Sequence, residues 1–130
     1  VVTVRTKAQS QAQGKTYVGK LNLIDLAGSE NVNKSNVTGQ ALREAQNINK
    51  SLSALGDVIS SLVAKDSKHV PYRNSKLTQL LKDSLGGDAK TLMIVQNSPA
   101  QASVVETLSS LNFAARARNV ENGPAKKNVQ

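Results

Sequence analysis

The 130-residue sequence predicts an α/β fold, in which short strands alternate with amphipathic helices. Two observations support this prediction. Apolar runs of strand length recur along the chain, and segments with apolar residues every three or four positions follow them. Only 2% of the residues are aromatic, so the core must be built from aliphatic side chains. The length is that of one domain with a core of its own.

Three segments have the composition of strands. Residues 1–7 are rich in β-branched side chains, and residues 16–25 follow a polar loop and end in an apolar run. Residues 92–95 form a third apolar run, which stops before Pro99. Runs of this kind separated by helices are typical of strands buried in a sheet. A sequence that opens inside a strand also suggests a chain cut from a longer one.

The first predicted helix carries a single apolar stripe. Its members are spaced four, three, four and three residues apart, which places them on one helical face. They are Ile48, Leu52, Leu55, Ile59 and Leu62. We expect this face to pack on a sheet.

Two shorter helices are predicted downstream. The first begins after Asn74 or Ser75, both good N-caps, and ends at Gly86–Gly87, which tolerate the left-handed conformation. The second begins at Ser103, where Glu106 completes a capping-box pattern. We expect it to bury three apolar residues: Val104, Leu108 and Leu111.

Composition limits the classes of partner and chemistry. The net charge of +8 favours an anionic partner, which nucleic acid, an acidic protein surface and an anionic membrane satisfy equally. The absence of cysteine excludes a disulfide framework, a thiol nucleophile and a zinc–thiolate site. No apolar run reaches the roughly 18 residues that a membrane span needs. We therefore expect an intracellular protein without a membrane segment.

A candidate phosphate sensor follows the second strand directly, as Asp25-Leu26-Ala27-Gly28-Ser29-Glu30. Open α/β sheets bind ligands at the C-terminal ends of their strands, and a carboxylate there can hold a hydrated magnesium ion. Gly28 would let a backbone N–H approach a terminal phosphate without a steric clash. Taken alone, the motif could also arise by chance or be an ordinary acid at the turn after a strand, although the phosphate-sensing interpretation is favoured.

The segment Gly14-Lys15-Thr16 imitates the end of a phosphate-binding P-loop. The first glycine of that motif would fall at Gln9, and a strand follows where a helix is required. We therefore reject a P-loop here. Without one, no segment of this sequence can cradle the α- and β-phosphates of a nucleotide.

Four motifs together resemble the kinesin motor domain. They are residues 25–30 (DLAGSE), 47–56 (NINKSLSALG), 70–78 (VPYRNSKLT) and 83–87 (DSLGG), in that order. The resemblance covers residues 1–120 and implies part of the kinesin P-loop NTPase fold. That fold has a central mixed β-sheet flanked by helices on both faces, with the N-terminal half missing here. The polar tail, residues 121–130, most resembles the ends of C-terminal-motor, minus-end-directed kinesins.

The resemblance implies catalytic and nucleotide-binding roles. Asp25 would lie one water away from the nucleotide's magnesium, and Gly28 would offer its amide to the γ-phosphate. Glu30 would pair with an arginine of the absent first switch and relay a proton from the attacking water. ATP or ADP with Mg²⁺ would bind the complete motor domain, and neither is expected to bind this chain tightly alone. Residues 31–46 would form a loop that orders when the switch closes, and residues 49–62 the relay helix.

The resemblance also implies a microtubule-binding surface. From charge alone, the basic residues of this region would be read as a solvated face, and the kinesin resemblance reverses that reading. Gln46 and Gln79 occupy positions that are basic in many members of the family. The implied tubulin contacts are Asn49, Lys50, Lys68, His69, Arg73, Lys76 and Lys82.

Two functions fit the resemblance. The first is a microtubule-stimulated ATPase motor of the cytoplasm and cytoskeleton, the spindle included, of which this chain is an inactive piece. The alternative is a non-catalytic kinesin-like module that only binds microtubules. The intact Asp25, Gly28 and Glu30 favour the motor. A nucleic-acid partner is not expected, because so few aromatic residues offer little for base stacking. The expected partners are microtubules and the missing N-terminal half, and a coiled-coil dimer would form through regions not present.

Overall fold

The computed structural model describes residues 1–29, 38–64, 69–124, 126, 128 and 129. These residues form a two-stranded antiparallel sheet and three α-helices. The elements are β1 (Val2–Gln9), β2 (Thr16–Leu23), α1 (Gly39–Val63), α2 (Lys76–Leu85) and α3 (Val104–Arg118). Short 3₁₀ turns precede α2 and α3, at Tyr72–Asn74 and Gln101–Ser103. Among the helices described, none is both long and apolar enough to cross a membrane.

The two strands pair along their full length, from Val2 opposite Leu23 to Gln9 opposite Thr16. The Ser10 N–H donates to the Lys15 carbonyl at 2.9 Å and closes the turn between the strands. Gly14 has a φ of +62° in this turn, a backbone conformation that favours glycine. Both predicted strands are therefore confirmed. The P-loop look-alike lies in a hairpin turn that leads into a strand, which confirms its rejection.

The predicted burial of the strands is wrong. Every residue of β1 is exposed, and the apolar side chains of Leu92 and Ile94 are 86% and 75% exposed. Residues 92–95 also form no strand, and no described strand pairs with them. A strand needs a neighbour that satisfies its N–H and C=O groups. The apolar pattern was identified correctly, but the described part of the chain supplies no partner to this run.

Helix α1 begins earlier than predicted. Residues 39–46 are helical, so the loop expected over 31–46 is wrong there, and residues 31–37 lie outside the described residues. The local sequence explains the difference, because residues 40–46 (QALREAQ) are all strong helix formers. Leu42 and Ala45 also continue the apolar stripe toward the N-terminus at a spacing of three.

The core lies where the three helices meet. Leu55 and Ile59 of α1 and Leu81 of α2 are buried at its centre, which confirms the middle of the predicted stripe. Partly buried side chains surround them: Leu77, Leu85, Met93, Phe113, Ala117 and Val120. As the sequence requires, all of these residues except Phe113 are aliphatic or methionine.

A capping box fixes the start of α2 at Ser75. The Ser75 hydroxyl accepts a hydrogen bond from the Thr78 N–H at 3.0 Å, and the Ser75 N–H donates to Thr78 Oγ1 at 3.2 Å. Thr78 Oγ1 also donates to the Tyr72 carbonyl at 2.7 Å, so the preceding 3₁₀ turn is tied to the helix. Ser75, one of the two predicted caps, is confirmed. Gly87 follows the helix with a φ of +70°.

The predictions for α3 are wrong in two respects. Ser103 precedes the helix, but its side chain makes no capping hydrogen bond. The residues expected to be buried, Val104, Leu108 and Leu111, are 49%, 55% and 49% exposed. The side of α3 that meets the core instead carries Phe113 and Ala117. Apolar residues surround much of this helix, and the described residues cover only one of its faces.

The predicted polar tail folds back on the domain. The Gly123 N–H donates to the Gly87 carbonyl at 2.8 Å, just beyond α2. Further along, the Val18 N–H of β2 donates to the Asn128 carbonyl at 3.0 Å, and Val129 forms a bridge with Tyr17. The end of the chain thus links the edge of β2 to the end of α2.

Candidate functional site

The predicted phosphate sensor forms one wall of an open cleft. Asp25, Leu26 and Ala27 follow β2 as exposed, irregular backbone. Across a cavity of about 680 Å³ lies the N-terminal half of α1. This opposite wall carries the apolar Ile48 and Leu52 together with five polar side chains: Gln40, Arg43, Glu44, Asn47 and Ser51. The predicted sensor therefore faces the N-terminal half of α1, most of which lies before the predicted relay helix.

The predicted catalytic residues are only partly brought together. Asp25 lines the cleft, whereas Gly28 is exposed beyond it and Glu30 lies outside the described residues. Sequence reasoning missed Arg43 and Glu44, because the segment 31–46 was assigned to a loop. The signal was present: Gln40, Asn47 and Ser51 recur with these two at helical spacing, so they share one face.

The described residues do not make a complete magnesium or nucleotide site. Within the described ranges, no group of three or more His, Asp or Glu side chains could hold a metal ion. Asp25 is a single exposed carboxylate, whereas magnesium needs six oxygen ligands. The Asp25 carboxylate therefore fits only an indirect contact with magnesium through a water molecule. Every other ligand of the ion would come from outside the described residues.

The predicted microtubule-binding residues surround α2. Arg73 lies in the 3₁₀ turn, Lys76 is the first residue of α2 and Lys82 is in its last turn; all three are exposed. Lys76 has no acidic neighbour in that first turn, although a cation at a helix N-terminus opposes the macrodipole. A charge placed against the local helix preference suggests a purpose other than stabilising the helix.

Two contacts connect α2 to the 3₁₀ turn, one through the Lys82 side chain and one through the Arg73 backbone. Lys82 Nζ lies 5.8 Å from the centroid of the Tyr72 ring, a cation–π contact. Burial raises the pKa of the Tyr72 hydroxyl, which is neutral at physiological pH even without this shift. Gln79 Nε2 donates to the Arg73 carbonyl at 3.4 Å. Lys76 and Lys82 project about 120° apart around the helix, so they lie on two sides of its exposed surface.

The other predicted contacts lie on neighbouring elements. Lys50 is exposed on α1, and α1 packs against both α2 and the 3₁₀ turn that carries Arg73. Asn49 is half-buried, so only part of its side chain is available for the predicted contact with tubulin. His69 is exposed before the turn, and Lys68 lies outside the described residues.

A comparison with protein families matches residues 1–120 to the kinesin motor domain. The chain therefore belongs to the kinesin motor domain family. It is 60% identical over 129 residues to the kinesin-like protein KIN-14E of rice, Oryza sativa subsp. japonica. That match covers 99% of this chain and 12% of the rice protein, so the chain spans about an eighth of the length of this relative.

Solved kinesin structures share the fold. The C-terminal motor and motor homology domain of Kar3Vik1 is 52% identical with a TM-score of 0.76, covering 93% of this chain and 32% of that one. The KIF14 dimer with AMP-PNP and a microtubule is 43% identical with a TM-score of 0.83, covering 97% and 36%. The predicted α/β kinesin fold is confirmed, as is the resemblance to C-terminal-motor kinesins.

Proposed function

We propose that these residues are the part of a microtubule motor that couples ATP turnover to microtubule binding. The single observation that carries the proposal is the continuity of α1. It is one helix of 25 residues, whose N-terminal half lines the cleft opposite Asp25 and whose C-terminal half holds the buried core residues against α2. A rigid helix that lines the cleft at one end and packs on α2 at the other can transmit a displacement from the sensor to the basic surface.

At the sensor end, each residue has a distinct task. Asp25 would contact the magnesium of ATP or ADP through water, Gly28 would donate its amide to the γ-phosphate, and Glu30 would relay a proton from the attacking water. The phosphate-cradling groups come from the rest of the motor domain, the N-terminal half named above. Arg43 and Glu44 lie across the cleft from Asp25, where a shift of the sensor backbone reaches α1 first.

At the microtubule end, the exposed cations act by number. Each exposed ion pair with the acidic tubulin surface contributes only about 0.2–1 kcal/mol, and salt screens it. These cations are carried by three elements that pack against one another, namely α2, its leading turn and α1: Arg73, Lys76, Lys82 and Lys50. Such a motor acts on microtubules of the cytoskeleton, and its resemblance to C-terminal-motor kinesins favours minus-end-directed movement.

The test is ATP turnover by the complete motor domain that contains these residues, with and without microtubules. The motor proposal expects microtubules to raise the turnover rate. A domain that sediments with microtubules but turns over no ATP would refute the proposal and leave the non-catalytic binding module as the function.

A further inference from the structure

A polar cluster joins β2 to the last turn of α2. Asn22 Nδ2 donates to Ser84 Oγ at 2.8 Å, and this contact is partly buried. Two residues earlier, on the same face of β2, Lys20 Nζ lies 3.3 Å from Asp83 Oδ2. Asp83 and Ser84, which are adjacent in α2, thus contact alternate residues of β2. We call Thr3, Lys20, Asn22, Asp83 and Ser84 the β2–α2 clasp.

Strand β1 orients the clasp. Thr3 lies directly opposite Asn22 in the register and donates its hydroxyl to Asn22 Oδ1 at 2.8 Å. The carboxamide of Asn22 is therefore held at both ends, its oxygen by β1 and its nitrogen by α2. A side chain with both polar atoms engaged has one orientation, which makes it suited to fix a distance.

The clasp also explains an unfavourable pair in the sheet. Arg5 lies directly opposite Lys20, and like charges opposite each other in an antiparallel pair are destabilising. Asp83 of α2 offsets this repulsion at Lys20. The opposite face of the ribbon carries Leu21 and Leu23, which are 54% and 55% exposed, so these two side chains do little to attach β2 to α2.

We propose that Asn22 is a positioning residue that ties α2 directly to the strand carrying the phosphate sensor. Asn22 lies three residues before Asp25, and Ser84 lies in the last turn of the helix that begins with Lys76. A displacement at the end of β2 then reaches α2 without passing through α1. This inference rests on the proposed motor function and adds a second route to it.

The test uses Asn22→Ala, Ser84→Ala and their combination in the complete motor domain, with exposed Asn112→Ala of α3 as the matched control. We expect microtubule-stimulated kcat to fall about fivefold or more, while the half-maximal microtubule concentration changes less than about twofold. The basal ATP turnover of these variants should equal that of the unmodified domain. The control Asn112→Ala should equal the unmodified domain in both basal and stimulated turnover. The double variant should be no worse than Asn22→Ala alone, because Ser84→Ala removes only the Asn22–Ser84 bond, which Asn22→Ala has already lost.

Other outcomes overturn the inference. An unchanged stimulated kcat in Asn22→Ala would do so, as would additive losses in the double variant. A parallel loss of basal turnover and thermal stability would assign Asn22 a structural role only. If the unmodified domain shows no microtubule stimulation at all, the proposed motor function fails and the second route fails with it. Even then, non-additive shifts in thermal unfolding would still detect the Asn22–Ser84 bond.

Discussion

Thr78 offers the sharpest test of how the basic surface is held in place. Its side chain is completely buried, and its hydroxyl lies at the junction of the 3₁₀ turn and α2. The hydroxyl donates to the Tyr72 carbonyl at 2.7 Å and accepts from the Ser75 N–H at 3.2 Å. Thr78→Val removes both bonds and keeps nearly the same volume, so its effect reports the hydrogen bonds and creates no cavity.

The expected magnitude follows from the two groups that lose their partner. The Tyr72 carbonyl and the Ser75 N–H are each left without the Thr78 hydroxyl in a partly buried place. Leaving a buried polar group unsatisfied costs about 1–3 kcal/mol. Because both contacts are only partly buried, water can reach the freed groups in part, and we expect a total near this range rather than twice it. Arg73 and Lys76, which flank the junction, should then lose their fixed positions.

Amide hydrogen exchange in the complete motor domain measures this effect locally. A loss of about 1–3 kcal/mol in the free energy of local opening speeds exchange about 5- to 150-fold across residues 72–80. Exchange in the middle of α1 should not change. Exposed Thr6→Val on β1 is the control and should leave residues 72–80 unaffected. Unchanged exchange at residues 72–80 in Thr78→Val would refute the claim that this hydroxyl fixes the start of α2.

Three further predictions concern the core, the basic surface and the chain alone. Leu55→Ala should lower the free energy of unfolding by about 2–5 kcal/mol, because its side chain is buried in the core. The control Leu80→Ala, at a side chain that is 60% exposed, should lower it far less, and thermal unfolding of the two variants measures the difference. Arg73→Ala with Lys76→Ala should weaken microtubule binding about two- to thirtyfold in co-sedimentation, with a smaller effect at high salt. An equal loss of basal ATP turnover would show that the pair is structural. The isolated 130-residue chain should not hydrolyse ATP, and microtubule-stimulated turnover by the purified chain would contradict this.

Features set by neighbouring residues could be predicted from the sequence. Strands β1 and β2, the apolar stripe of α1 and the Ser75 cap are each indicated by side chains within a few positions of one another. The early start of α1 was predictable in the same way from residues 40–46. The kinesin resemblance assigned those residues to a loop, and the local helix preference proved the better guide.

Features that depend on distant partners could not be predicted. Residues 92–95 have the composition of a strand, but a strand forms only beside another one. Leu108 and Leu111 look like core residues because they are apolar, yet they are 55% and 49% exposed, since the core meets the side of α3 that carries Phe113 and Ala117. Asp25 was predicted as a phosphate sensor from its motif, whereas its position opposite Arg43 and Glu44 depends on where α1 lies in three dimensions.

The central claim is that the proposed phosphate sensor at residues 25–28 controls how tightly the basic surface around α2 binds microtubules. One measurement tests this claim most directly. Microtubule affinity is measured for the complete motor domain in ADP and in a non-hydrolysable ATP analogue, with and without Gly28→Ala. We predict that affinity differs between the two nucleotide states in the unmodified domain, and that this difference disappears in Gly28→Ala while some microtubule binding remains. A Gly28→Ala domain that keeps the full difference in affinity would contradict the account.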